Sequence, residues 1–380
     1  MINDQIISFI KDSYNTNSFI PLHEPRFNGN EKNYLIDAID STFVSSVGAY
    51  VDKFEFMMAE ISRTQKAIAI VNGTSALQVA LRLSGVNNGD EVLTQALTFI
   101  ATINAILYNG ASPVFLDVDI DTMGLSPYAV QAFLEEYGEL RDGVCYNKKT
   151  NKKIAACMPM HTFGFPVRLD ELIMICNKWN IPLVEDAAEA IGSLYKDRPT
   201  GSFGKLGVFS FNGNKIVTSG GGGAIVTNDL ALGIKAKHLT TTAKIPHPYE
   251  YVHDDIGYNF RMPNINAALA CAQLEQLNAF IQNKRELANK YHSFFNSIGV
   301  KFRTELPNTK ANYWLMCIEL ENKKERDDFL KKTNENNVMT RPIWQLIFKS
   351  NLYSNFQKDN QKNAIYLEER IINIPSSVIL

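Results

Sequence analysis

Short apolar runs alternate with longer amphipathic stretches through the middle of this chain. Between about Lys66 and Asn228 the runs AIAIV, EVLTQ, PVFLDVD, IAACMPMH and IPLVEDA read as strands. The segments between them, TSALQVALRLSG, TFIATINAILYNG, PYAVQAFLEEYG and LDELIMICNKWN, repeat apolar residues at three and four and close near Gly or Asn. That is the mark of helices. Strand and helix in alternation predict crossover units and a largely parallel sheet, an α/β domain. VFSFN and GAIVTN then predict two more strands flanking a loop that carries Lys215.

From Asn264 the pattern changes. NINAALACAQLEQLNAFIQNKRELANKYHSFFNSIG predicts one long helix, followed by YWLMCIEL, a helical ERDDFLKKTNENN and VMTRPIW, which together suggest a smaller α+β domain over residues 264–380. The first sixty residues contain one amphipathic helix, GNEKNYLIDAID, and are expected to form an arm of the large domain, which would span residues 1–263. The charges at residues 283–290 are expected to form a solvated helix face.

Composition narrows the function classes. In 380 residues, 45% hydrophobic and 21% charged, there is material for a large core, unlike a disordered chain. A net charge of -2 with no long Lys/Arg block argues against nucleic acid as a partner. The start, MINDQIISFIKDSY, mixes acids into its apolar positions and is a poor signal peptide, and no apolar run reaches membrane-spanning length. The expected location is the cytoplasm, with no membrane partner. Cys145, Cys157, Cys176, Cys271 and Cys317 are widely spaced without a CxxC pair, as for buried thiols in a reducing compartment. No His, Cys or carboxylate grouping has zinc spacing, so no metal is expected.

Three places carry candidate chemistry, each with a plainer alternative. In VNGTSAL, Gly73, Thr74 and Ser75 follow a strand and open a helix, where free N–H groups and hydroxyls suit a phosphate; an ordinary helix cap looks the same. It is not a Walker motif. In LVEDAAEAIGS, Glu185 and Asp186 end a strand, where a carboxylate can hold a protonated ring nitrogen or a metal, or merely cap a turn. In FSFNGNKIVTSGGGG, Lys215 could be a solvated loop residue, but the glycines at 220–223 imply close backbone approach. Taken together, a phosphate cradle, a strand-end acid and an amine are the three parts that pyridoxal 5'-phosphate needs: an anion site, a partner for its pyridine nitrogen and a lysine for the Schiff base.

The ordered blocks PLHEPRFNGNEKNYL, STFVSSVGAYVDKFE, VNGTSALQVAL, LTFIATINAI, PVFLDVD, HTFGFP, VEDAAEAIGS, FSFNGNKIVTSGGGG, GYNFRMPNINAAL and TRPIW resemble the DegT/DnrJ/EryC1/StrS family of sugar aminotransferases over nearly the whole chain. The resemblance implies the aspartate aminotransferase type I fold of pyridoxal-phosphate-dependent transferases, with a mostly parallel mixed sheet in a three-layer large domain. It implies that Lys215 carries the cofactor and Asp186 contacts the pyridinium, and that Thr74, Ser75 and Ser210 hold the phosphate. It places Phe99 on one ring face, Ala188 on the other and Glu189, where many relatives have glutamine, near the ring hydroxyl. An ionised Glu189 could not donate a hydrogen bond there. Lys215 also argues against the dehydratase branch, which has histidine in its place. Asn259 is implied to reach the neighbouring subunit's cofactor phosphate across a homodimer interface.

GNEKNYL and VSSVGAYVDKFE look like enzymes that aminate C4 of nucleotide-linked 4-keto-6-deoxy sugars. FNGNKIVTSGGGG and RPIWQL are similar to the legionaminic-acid type, which acts on a UDP-linked 2-acetamido sugar. The implied reaction takes an amino group from L-glutamate and makes amino sugars for surface glycans. The alternative acceptor is the GDP-linked 4-keto sugar of perosamine synthesis. A protein of another class, binding the cofactor and a sugar nucleotide without turnover, would keep these residues yet leave the cofactor unconverted by glutamate.

Overall fold

A computed structural model describes residues 2–379. Its central sheet runs in the order Lys66–Ile70, Gly223–Thr227, Leu206–Ser210, Val184–Asp186, and continues through the parallel bridges Cys157 to Leu183 and Met160 to Asp186 into Lys152–Met158, Glu91–Gln95 and Ser112–Leu116. Within this run Gly223–Thr227 alone is antiparallel to its neighbours, so the sheet is mixed and mostly parallel. The expected strands are all present. Their apolar runs are continuous because the sheet is covered on both faces.

Alternation along one strand separates those faces. In Ser112–Leu116, Val114 and Leu116 join the core under helices Pro127–Tyr137 and Leu169–Lys178, while Phe115 joins the other core, with helices Gly73–Leu83 and Ile100–Tyr108. Side chains that alternate in direction serve two helical layers at once, giving three layers in all. A smaller, wholly antiparallel sheet follows in the order Lys301–Phe302, Met316–Glu319, Ile371–Ile374, Arg341–Pro342. The N-terminal helix Ile2–Ser13 packs beside helix Lys323–Glu335, and Ile20 bridges Val338. The start of the chain thus lies against its C-terminal part.

The structure corrects two expectations. The single long helix from Asn264 is two, Asn264–Glu275 and Leu277–Ser297, broken at Gln276 (φ -99°, ψ -4°). No Gly or Pro marks the break; the Gln276 amide instead donates to Glu31 Oε1 at 2.6 Å, a tertiary partner. Residues 283–290 are not a uniformly solvated face either. Lys284 is wholly buried and donates to the Ser376 carbonyl, while Arg285 pairs with Glu305 at 2.6 Å. All five cysteines are buried and free, as expected. Among the described residues no helix is long and apolar enough to cross a membrane.

Candidate active site

The carboxyl ends of Lys66–Ile70, Val184–Asp186 and Leu206–Ser210 open on a cavity of about 610 Å³. Asn72 begins the phosphate-type turn: extended in backbone, it caps helix Gly73–Leu83 by accepting from the Ser75 N–H at 2.8 Å. A helix's first N–H groups have no intrahelical acceptor, so a ligand can use those that a cap does not take. Gly73, Thr74 and Ser210 line the cavity; Ser75 lies in the same turn but outside the lining. Glycine is required here for space. A Cβ on Gly73 would stand 2.9 Å from Ser210 Cβ, and one on Gly223 2.6 Å from the Asn72 carbonyl carbon. The end of the glycine run therefore presses a strand against the capped turn.

The adjacent carboxylates Glu185 and Asp186 do different work because neighbouring strand residues face opposite ways. Glu185 accepts from the N–H groups of Gly201 (2.8 Å), Phe203 (2.6 Å) and Gly204 (2.7 Å) and from His161 Nε2 (3.1 Å). Val167 N–H donates to His161 Nδ1, which puts the ring proton on Nε2. Glu185 is thus a satisfied structural anion. Asp186 lines the cavity, buried, accepting from Thr102 Oγ1 at 2.7 Å and from Ala188 N–H at 3.2 Å. Burial pushes its carboxyl above the usual range, and the Thr102 hydroxyl works against that.

Lys215 lies in the loop of residues 211–222, its Nζ 3.4 Å from Glu189 Oε1 and 3.9 Å from the centroid of the Trp314 ring. Trp314 Nε1 also donates to the Asn214 carbonyl at 2.7 Å, so one indole anchors the loop and holds the amine. Glu189 Oε2 accepts from Phe163 N–H at 2.9 Å. Burial raises the Glu189 carboxyl to about 7, although Lys215 opposes the shift. A carboxyl near that value is often protonated at neutral pH and can then donate from Oε1. The substitution of acid for amide at this position is thereby compatible with a hydrogen-bond donor.

Phe99, 51% exposed, precedes helix Ile100–Tyr108 and lines the cavity, as does Ala188. Asn259 does not: it is exposed outside the lining and accepts from Arg261 Nε at 3.0 Å. Sequence reading missed Thr102, Trp314, Arg341, Trp344 and Asn373, all of which line the cavity. Asn214 stood inside the quoted lysine stretch and could have been found there. Trp314 carried no local signal, since it meets that loop from 100 positions away.

The residues present fit pyridoxal phosphate: a helix-opening turn that tolerates no extra Cβ, a buried carboxylate, and a lysine share one cavity. This is the site and fold of a pyridoxal-phosphate-dependent aminotransferase. The model of the DegT/DnrJ/EryC1/StrS aminotransferase family matches residues 25–380, and the chain belongs to this family of pyridoxal-phosphate-dependent sugar aminotransferases. It is 37% identical over 360 residues to the GDP-perosamine synthase of Escherichia coli O157:H7, covering 94% of this chain and 93% of that protein. It is 36% identical over 335 residues to the putative pyridoxal phosphate-dependent aminotransferase EpsN of Bacillus subtilis (strain 168), covering 88% of this chain and 84% of that one. Among solved structures, the aminotransferase from Psychrobacter cryohalolentis superposes with a TM-score of 0.83 at 27% identity, over 94% of this chain and 93% of that chain.

Proposed function

We propose that the protein transfers an amino group from L-glutamate to the C4 ketone of a nucleotide-linked 4-keto-6-deoxy sugar. The observation that carries this reading is the convergence of Lys215, Asp186 and the turn at Gly73 and Thr74 on one cavity. When bound, pyridoxal phosphate supplies an electron sink next to the carbon whose proton is moved. Asp186 would keep a proton on the ring nitrogen. Gly73, Thr74 and Ser210 bind the phosphate, with Ser75 bracing the turn through its N–H. Phe99 and Ala188 would orient the ring, and Glu189 would be available to its hydroxyl. Lys215 would hold the cofactor when no substrate is bound and, with its amine free, would serve as the general base that moves the substrate's proton.

Two acceptors compete. Sequence blocks pointed to a UDP-linked 2-acetamido-2,6-dideoxy-4-keto sugar. Three relatives at 37%, 34% and 31% identity, each matched over 94% of this chain, are GDP-perosamine synthases, which supports a GDP-linked 4-keto-6-deoxy sugar instead. An amination assay on UDP- and GDP-linked 4-keto sugars with glutamate decides between them: turnover of the GDP sugar is expected. If neither sugar is aminated, while glutamate alone converts the bound cofactor, the acceptor class is wrong.

The same reading includes a homodimer with shared sites. Ile36 (58% exposed), Ile39, Phe43, Val47 and Phe56, on helices Glu31–Asp40 and Ala49–Ser62 and the segment between them, are large apolar side chains left exposed, which a dimer contact there would cover. Asn259, outside its own cavity and accepting from Arg261 through Oδ1, would present its amide nitrogen to the partner's phosphate. Asn259→Ala should weaken cofactor retention, and co-refolding it with Lys215→Ala should restore part of the activity through heterodimers. Verified heterodimers without recovery would place Asn259 within its own chain's function. A cytoplasmic setting suits the five buried free thiols, and fractionation into an oxidising compartment would contradict it.

A further inference from the structure

Two donors on the cavity wall have no part in the chemistry described so far. Arg341, in the short strand Arg341–Pro342, stands opposite Asn373 of strand Ile371–Ile374. Directly opposite residues project to the same face of a sheet, and both of these line the cavity. Among the described residues, the hydrogen bonds of the Arg341 side chain run from one guanidinium nitrogen to neutral oxygens: Asn334 Oδ1 at 3.2 Å and the Thr340 carbonyl at 3.1 Å. The other charged lining groups are Lys215 and Glu189, paired with one another, and Asp186, bonded to Thr102. Asn373 is 3% exposed, yet among the described residues its Nδ2 has no acceptor. A buried amide donor is costly when it is left unpaired. Turning the amide end over end exchanges its nitrogen and oxygen at almost no cost in volume, so the donor can be presented to a ligand.

A guanidinium beside an amide matches two oxygens of one carboxylate or phosphate group. We propose that Arg341 and Asn373 form an anion subsite for a carboxylate or phosphate group of a substrate, a reading that rests on the aminotransfer function above. The group comes either from the amino donor or from the diphosphate of the sugar nucleotide.

Calorimetric titration of the cofactor-loaded protein with 2-oxoglutarate, and separately with UDP and GDP, distinguishes the two sources. Arg341→Gln should weaken one class at least about tenfold and leave the other within about threefold. Loss confined to 2-oxoglutarate assigns the subsite to the donor carboxylate; loss confined to the nucleotides assigns it to the diphosphate. Asn373→Leu should weaken the same class. Because Asn373 lies inside a sheet, its variant is read only after a matching thermal melt, whereas exposed Arg341 keeps the test independent of folding. Unchanged affinities in folded Arg341→Gln, or no binding of either class to the wild type, overturn the proposal. If no amino donor alters the cofactor's absorbance in the wild type while Arg341→Gln still loses one ligand class, the functional reading fails and the subsite stands.

Discussion

Lys215 and Lys284 are both withdrawn from water, and their surroundings set them to different tasks. Lys215 sits in a loop beside a carboxylate, Glu189, and against the Trp314 ring. Lys284 is locked in helix Leu277–Ser297, where its amine donates to one backbone carbonyl, and burial lowers its pKa to about 7. His23 lies within reach of both amines: burial, then Lys284, then Lys215 push its pKa down. A buried amine needs a counter-charge to stay charged, or else it tends toward neutrality. Lys215 has the Glu189 carboxyl beside it, whereas among the described residues Lys284 has no carboxylate within pairing distance. Of the two amines, the one proposed for the chemistry is the one with an adjacent acid on the cavity wall.

The strongest way to break the contrast is Lys215→Ala. Donor turnover should fall by roughly 10⁴-fold or more, with an unchanged fold by circular dichroism, because the side chain serves chemistry rather than packing. A donor half-reaction at a measurable fraction of the wild-type rate would remove Lys215 from its role. Asp186→Asn keeps the volume and removes the charge, so the donor half-reaction, followed by absorbance, should slow by about 10²-fold. A rate close to wild type would leave Asp186 as a turn residue bonded to Thr102.

Glu189→Gln sharpens the comparison from the acid's side. With its pKa raised to about 7, Glu189 loses its donor hydrogen as pH rises through that value, and wild-type activity should carry a falling limb there. Glutamine keeps a donor at every pH, so the limb should vanish while the rate near pH 6 changes by less than about tenfold. An unchanged limb in the variant assigns the titration to another group.

Lys284→Met should have the smallest effect on turnover, within about twofold, and act on stability instead. The folded pKa of about 7 lies below the ordinary 10.5. Between those values the unfolded chain holds a proton that the native chain does not, so this residue makes stability rise with pH across that window; below about 7 both states hold it and the burial penalty is complete. Denaturant melts from pH 7 to 10 should show that rise in the wild type and a flatter course in the variant. Parallel curves would mean that Lys284 titrates normally.

Much of the site was readable without a structure because its signals are local. A strand of continuous apolar residues, a cap followed by a helical repeat, and a lysine before glycines are each contained within a dozen or so neighbouring residues, and the order in which such blocks follow one another is read directly along the chain. They were enough for the α/β class, the mixed, mostly parallel sheet, the family, the cofactor and the joint presence of Lys215 and Asp186. The tertiary structure decided what depends on distant partners. Glu185 and Asp186 look alike in sequence, but only the sheet's place in the fold turns one toward the backbone amides of residues 201–204 and the other toward the cavity. Charge patterning made Lys284 look solvated, whereas the fold brings the Ser376 carbonyl to its amine. Trp314 found Lys215, and Arg341 found Asn373, across chain separations that no local pattern encodes. Periodicity reports which face of an element is apolar; which element covers that face is set only when the packed layers come together.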